Sequence, residues 1–254
     1  MQPLQCIAFA EAEHGSDLAA IETRGDVIGG EVFVTGSKIW LAHADHASEA
    51  LVLCRTEPAG PRYQDLSCVI VPLDQSGVEL RPMRQMSGET DYFEVVFDGA
   101  RAPLSNIVGG RGNGWSVAMT TLARARSVPG TFDPVEVERE YWDLVATARG
   151  YGRDRDPVVR QQLAQAYAQM RILQLHHQRA SSLTNLLWSD YRRRLGEIAM
   201  DIMGPDALLR PDGEAYATGY WQRVLLSGAA ESIANGTGDI QRTIIGERVL
   251  GLPR

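Results

Sequence analysis

Gly114-Trp115-Ser116-Val117-Ala118-Met119-Thr120-Thr121-Leu122 marks the point at which the chain changes character. Upstream, short β-branched runs alternate with Gly, Pro and Asp turn formers. Downstream, apolar residues recur at helical spacing over long stretches. A change from a period of 2 to a period of 3.6 within one chain predicts two domains, over residues 1–112 and 113–254. The expected class is α+β, a small antiparallel β-domain followed by an up-down helical bundle.

Before the boundary, strands are predicted over Val32–Val34 leading into Lys38–Trp40, and over Ala50–Cys54, Cys68–Pro72, Gly77–Pro82 and Phe93–Phe97. Gly29-Gly30, Pro58–Pro61 and Asp98-Gly99 are the turns between them. After the boundary, Val159, Leu163, Tyr167, Met170 and Leu173 form one apolar stripe. Leu195, Ile198, Ala199 and Ile202 form another, stopped by Gly204-Pro205. Further helices are expected after Gly114, near Phe132 and through Ile240–Leu250, giving four or five in all.

With 254 residues and a net charge of −7, the chain has no block of basic residues to displace counterions from a phosphate backbone, so nucleic acid is not an expected partner. Cys6, Cys54 and Cys68 are odd in number and lack C-x-x-C spacing, which fits a reducing cytoplasm rather than a disulfide framework or a zinc site. The N-terminus has no basic n-region followed by an apolar h-region, and no stretch reaches about 18 apolar residues, so neither export nor a membrane anchor is expected. Strand-like residues begin directly after Pro3-Leu4, with no helix ahead of them.

Gly15-Ser16-Asp17 reads either as a plain turn or as a turn presenting N–H groups and a hydroxyl to an anion. In Gly236-Thr237-Gly238-Asp239, Thr237 and Asp239 are candidate caps for a helix starting at Ile240, and helix starts of this kind also receive phosphates. His43 and His46 flank Asp45 without a third ligand at diagnostic spacing, so no metal is assigned. Trp40 is either core, the default for a tryptophan, or a flat platform for an aromatic cofactor.

Five segments in order resemble the acyl-CoA dehydrogenase family, FAD enzymes that oxidise acyl-CoA thioesters to enoyl-CoA. They are Gln5-Cys6-Ile7-Ala8-Phe9-Ala10-Glu11-Ala12-Glu13-His14-Gly15-Ser16-Asp17-Leu18, Gly36-Ser37-Lys38-Ile39-Trp40, Arg81-Pro82-Met83-Arg84-Gln85-Met86-Ser87-Gly88-Glu89, the Gly114–Leu122 stretch, and Gly236-Thr237-Gly238-Asp239-Ile240-Gln241-Arg242 continuing to Arg254. The resemblance implies a middle β-domain and a C-terminal helical domain with FAD between them, and a neighbouring subunit that completes the FAD site. The family's N-terminal helical domain has no counterpart here, so part of the acyl site is expected to be open or covered by another chain. By position, Phe9, Ala10, Trp40 and Ala42 are implied to flank the isoalloxazine. Ser16 is implied to lie near a phosphate or the CoA arm, Thr237 and Asp239 at the diphosphate and ribose, and Arg126 beside the catalytic base.

That base is where the chain departs from the family. The chemistry needs a carboxylate to take the α-proton while the flavin takes the β-hydride. At the two positions where family members carry the glutamate, this chain has Ala125 and Asn235, neither of which accepts a proton at neutral pH. Glu231, one helical turn before Asn235, is the nearest spare carboxylate and is expected about 6 Å along the same helix face. Ala10 and Ala42 replace residues that normally carry a hydroxyl beside the flavin, and Ala12 stands where proline is common. These losses point to a partner subunit of a heteromeric acyl-CoA dehydrogenase, resembling actinobacterial assemblies that act on steroid-derived CoA thioesters. On this reading acyl-CoA is the substrate, a second acyl-CoA dehydrogenase subunit is the partner and an electron-transfer flavoprotein is the acceptor. The alternatives are a self-sufficient dehydrogenase using Glu231, and a binding or scaffolding homologue without redox chemistry.

Overall fold

The computed structural model describes residues 5–58, 61, 63–127, 133–177, 183–208, 219–234 and 236–253, apart from the side chains of 126, 127 and 177. The chain forms two compact units, Met1–Gln85 with Glu89–Thr121, and Met86–Gly88 with Leu122–Arg254.

The first unit holds one mixed sheet built from β1 (Gln5–Ala8), β2 (Arg24–Ile28), β3 (Glu31–Ala42), β4 (Glu49–Arg55), β5 (Leu66–Pro72), β6 (Val78–Met83), β7 (Tyr92–Pro103) and β8 (Ile107–Val108). The strand order is β6-β7-β3-β2-β4-β5-β8, and β1 joins β4 in parallel. Apart from β1 against β4 and a single parallel bridge from β2 to β4, every pairing is antiparallel, in line with the sequence expectation.

Alternation explains the main strands: Phe93, Val95 and Phe97 of β7 point inward against Val32 and Val34 of β3 and Val52 and Cys54 of β4. The β2–β3 hairpin turns through Gly29 and Gly30, both at positive φ as a two-residue turn of this hand requires. Strand β2 was not expected, because Gly25 and Asp26 depress strand propensity and its pairing with β3 supplies what its own sequence lacks. The first turn of helix α1 (Gly114–Ser127) is tied to β5 where Cys68 Sγ donates to the Gly114 carbonyl at 3.4 Å. All three cysteines are buried and free, and burial pushes the Cys54 and Cys68 thiols up to about 12, so they behave as small apolar residues.

The second unit contains α2 (Pro134–Gly150), α3 (Pro157–His177), α4 (Leu183–Met203), α5 (Tyr220–Glu231) and α6 (Gly238–Ile244), which passes into a π-helical turn over Ile245–Val249. With α1, six α-helices lie among the described residues, against an expected four or five. Helix α5 is not evident in the sequence because its apolar residues run together and Gly228 weakens its propensity. That glycine is needed because a Cβ there would stand 3.1 Å from the Arg193 Cα.

Asp133 caps α2 by accepting from the Val135 N–H at 2.8 Å, with Pro134 in the first turn. Leu195, Ile198, Ala199 and Ile202 are buried as the period predicts, whereas Tyr167 is not part of the buried stripe. The α3 seam runs Val159, Leu163, Ala166, Met170 and Leu173, and Tyr167 lies beside it against the rings of Tyr141 and Trp142. No helix among the described residues is long and apolar enough to cross a membrane.

Helices α4 and α5 meet at Gly196, where an added Cβ would lie 2.6 Å from the Leu225 Cα, a backbone atom that cannot swing aside. Gly196→Ala is therefore expected to cost about 2 kcal/mol, despite alanine's better helix propensity. Urea unfolding checks this as a lower midpoint at unchanged slope.

Candidate functional site

In the β unit, the expected site residues converge on the end of β1 and a bulge in β3. Phe9, buried just beyond β1, offers its carbonyl to Lys38 Nζ at 2.9 Å, and the Ala10 carbonyl accepts from the Ile39 N–H at 3.0 Å. The β3–β7 register shifts between Lys38 and Leu41, and Trp40 occupies that irregularity at φ 63°. A bulky aromatic residue in the left-handed region costs roughly 1–3 kcal/mol and persists only where its surroundings impose it, as at many binding sites.

Trp40 is 51% exposed and meets Tyr92 edge-on at 5.8 Å, which corrects the default assignment of this ring to the core. The bulge turns it outward. Ala42, two residues on, is also exposed and stands opposite Tyr92 in the register.

Beneath this surface lies a buried ion pair whose two members belong to separate sequence motifs. Lys38 is fully buried and donates to Glu11 Oε1 at 2.8 Å. The Glu11 carboxylate also accepts from the Glu22 N–H at 2.6 Å and the Thr23 N–H at 2.9 Å, closing the loop over residues 12–21. Burial raises the Glu11 pKa, but the hydrogen bonds from Lys38, Thr23 and Glu22 and the Lys38 charge outweigh it and hold the carboxyl at about 2. Lys38 is pulled down by burial, against the support of Glu11.

Arg55 of β4 fixes the far side of the same loop by donating to the Ile21 carbonyl at 2.6 Å and the Ala19 carbonyl at 2.7 Å while pairing with Asp65. Ser16 sits exposed on the loop so anchored. His43 carries its own left-handed φ of 50°, and His46 faces Asp45 at 3.6 Å.

The helical unit carries the other candidates. Thr237 caps α6, its hydroxyl accepting from the Ile240 N–H at 3.3 Å. The helix begins at Gly238 rather than Ile240, so Asp239 lies in the first turn, exposed, with Arg242 Nη1 at 3.5 Å, and is not a cap. Ala125 lies on α1, the Arg126 side chain lies outside the described residues, and Asn235 lies outside them altogether.

Glu231 is the last residue of α5, which stops there because Ser232–Ala234 form a turn. The helix expected to carry on past Glu231 therefore ends there, and position 235 lies outside the described residues. Its Oε1 accepts from Arg192 Nε at 3.3 Å, its Oε2 is buried without a hydrogen-bond partner, and burial raises its pKa against the pull of Arg192. Arg192 also pairs with Glu140, whose Oε1 accepts from the Tyr220 hydroxyl as well. This four-residue cluster joins α2, α4 and α5. It was invisible in the sequence, because its hydrogen-bonded pairs lie 39 to 80 positions apart and none of its members belongs to a motif.

Comparison with known proteins gives a consistent identification. Residues 6–100 match the model of the acyl-CoA dehydrogenase middle domain and residues 112–250 that of the C-terminal domain. The chain is 37% identical to the acyl-CoA dehydrogenase IpdE1 of Mycobacterium tuberculosis, over 99% of its own length and 67% of that protein. Among solved structures it superimposes on the Tcur3481-Tcur3483 steroid ACAD with a TM-score of 0.86 at 26% identity, covering 98% of this chain and 68% of that one. It shares its fold with the ChsE4-ChsE5 complex of Mycobacterium tuberculosis, at a TM-score of 0.82 and 23% identity over 98% of this chain and 69% of that one.

Proposed function

The chain belongs to the acyl-CoA dehydrogenase family, and from that premise we propose that it is the partner subunit of a heteromeric, FAD-containing acyl-CoA dehydrogenase acting on steroid-derived CoA thioesters. The observation that carries this is the state of the carboxylates. Position 125 is alanine, position 235 is asparagine, and the nearest alternative, Glu231, has one oxygen on Arg192 and the other buried. With no carboxylate at either family base position and Glu231 engaged by Arg192, a base supplied by the other subunit accounts best for the chemistry. Similarity to the steroid ACAD favours a steroid-derived substrate and a two-chain assembly.

The residues present fit the flat ring of a flavin. Trp40 shows half its surface from a strained backbone position, Ala42 adds little bulk beside it, and Lys38 pins the Phe9 carbonyl behind it. Bound FAD supplies the hydride acceptor for α,β-dehydrogenation. This chain's own part is binding and orientation. Phe9, Ala10, Trp40 and Ala42 would seat the ring without a side-chain hydroxyl, and Thr237 and Asp239 would take the diphosphate and ribose. By position in the family motifs Ser16 is assigned to the CoA arm and Arg126 to the neighbourhood of the partner's base, and an electron-transfer flavoprotein would take the electrons onward. Each missing hydroxyl weakens flavin binding by about 1 kcal/mol, which leaves the chain dependent on its partner for a firm site.

One observation favours a second reading, in which Glu231 is a relocated base: burial raises its pKa, as a proton acceptor working near neutral pH requires. The two readings separate in D2O. Supplied with FAD and a saturated acyl-CoA, the chain alone is expected to leave the α-position unexchanged. Deuterium uptake by the chain alone, abolished by Glu231→Gln, would establish Glu231 as the base instead.

A further inference from the structure

Helix α5 ends on a carboxylate, the wrong charge for a helix C-terminus, whose own dipole repels it. The placement is explained by Arg192 on α4, which donates from Nε to Glu231 Oε1 at 3.3 Å. Arg192 is itself held on two further sides, by Glu140 of α2 and by the Trp188 ring, 5.3 Å below its guanidinium. Tyr220, the first residue of α5, donates to the same Glu140 oxygen that pairs with Arg192, so both ends of α5 are fastened to one centre.

Only five residues separate Glu231 from Thr237, the cap of α6. Beyond that cap, α4 reaches the chain again. Leu186 Cδ1 lies 3.6 Å from where a Cβ on Gly238 would stand, and Asp190 faces Arg242 at 3.9 Å. A single helix therefore grips the chain on both sides of the segment that separates α5 from α6, most firmly through Arg192.

We propose that Arg192 is a positioning residue for Gly236–Asp239, fixing from α4 the approach to the segment that the proposed function assigns to the cofactor; the inference rests on that reading. The task suits arginine rather than lysine. A planar fork serves Glu140 through Nη1 and Glu231 through Nε at once and still lies flat on Trp188, whereas an ammonium is a single point charge.

The test uses the full chain, alone and with any acyl-CoA dehydrogenase encoded beside it, and compares wild type with Arg192→Lys and Glu231→Gln. The second variant keeps shape and removes only the charge of the α5 anchor, weakening its hydrogen bond to Arg192. It is the safer one to fold, because burial already disfavours the Glu231 charge. Backbone hydrogen–deuterium exchange is read over residues 232–237, and FAD affinity by flavin fluorescence titration. In both variants, exchange of that segment is expected to quicken while the cores of α3 and α4 stay protected, and FAD is expected to bind about tenfold more weakly, the loss of one charge-assisted hydrogen bond. Unchanged exchange over 232–237 in both variants overturns the proposal, and so does faster exchange with unchanged FAD affinity. A wild-type chain that takes up no FAD with or without its partner overturns the cofactor assignment instead, and the exchange data then decide on their own whether Arg192 holds the segment.

Discussion

Lys38→Met is expected to lower stability by about 3–5 kcal/mol, because it leaves the Glu11 carboxylate inside the β unit without its cation. Glu11→Gln placed on top of Lys38→Met should recover much of that loss, since a neutral amide still reaches the Glu22 and Thr23 N–H groups that the carboxylate now serves. Urea unfolding of the two single variants and the double variant measures the coupling. Losses that simply add would mean that the pair is not a unit.

The same pair sets an acid limit. The Glu11 carboxyl titrates at about 2 in the fold against an ordinary 4.5, so its contribution is complete above about pH 4.5 and is lost as pH falls toward 2. The size is on the order of 3 kcal/mol for Glu11. Lys38 works in the opposite direction: its lowered pKa means that its charged form carries a burial cost at neutral pH, which Glu11 offsets. Lys38 also donates to the Phe9 carbonyl, so its removal should loosen the seat proposed for the flavin together with the fold.

Arg192→Met is the second change with a large expected effect. It strands Glu140 and Glu231 with no positive charge between them and removes the fork joining α2, α4 and α5, a loss of about 3–5 kcal/mol. Adding Glu140→Gln and Glu231→Gln should restore most of the stability, because the remaining groups are neutral and Tyr220 keeps a hydrogen-bond partner on Glu140→Gln. Thermal unfolding followed by circular dichroism at 222 nm reads the effect on the helical unit. A single variant that unfolds with the wild type would show that the cluster carries no net stability.

The contrast between these two clusters and the rest of the fold shows where sequence reading reaches. Alternation in Phe93–Phe97 and the stripe Leu195–Ile202 are properties of single elements, so β7 and α4 were readable from their own residues. Strand β2 and helix α5 were not. Each contains glycines that a neighbour requires and its own propensity opposes, and the reason appears only once β3 lies against β2 and Arg193 against Gly228.

The candidate site divides in the same way. The motifs carried Phe9, Trp40, Thr237 and Asp239 by position, while the strain at Trp40 comes from a register shift that only the paired strands reveal. Glu11 and Lys38 were quoted within two separate motifs, 27 positions apart, and nothing local says that one side chain reaches the other. Arg192 had no motif at all. It sits in a run of three arginines, of which Arg193 and Arg194 face Glu197 nearer the surface, and only packing distinguishes the one that turns inward.

Whether another chain supplies the base while this one lends structure and cofactor contacts is read from the visible spectrum of the purified protein, alone and co-expressed with any acyl-CoA dehydrogenase encoded beside it. The expected result is a colourless or faintly coloured chain that cannot be bleached on its own, and a yellow complex that acyl-CoA bleaches. A yellow chain that acyl-CoA bleaches without a partner would contradict it.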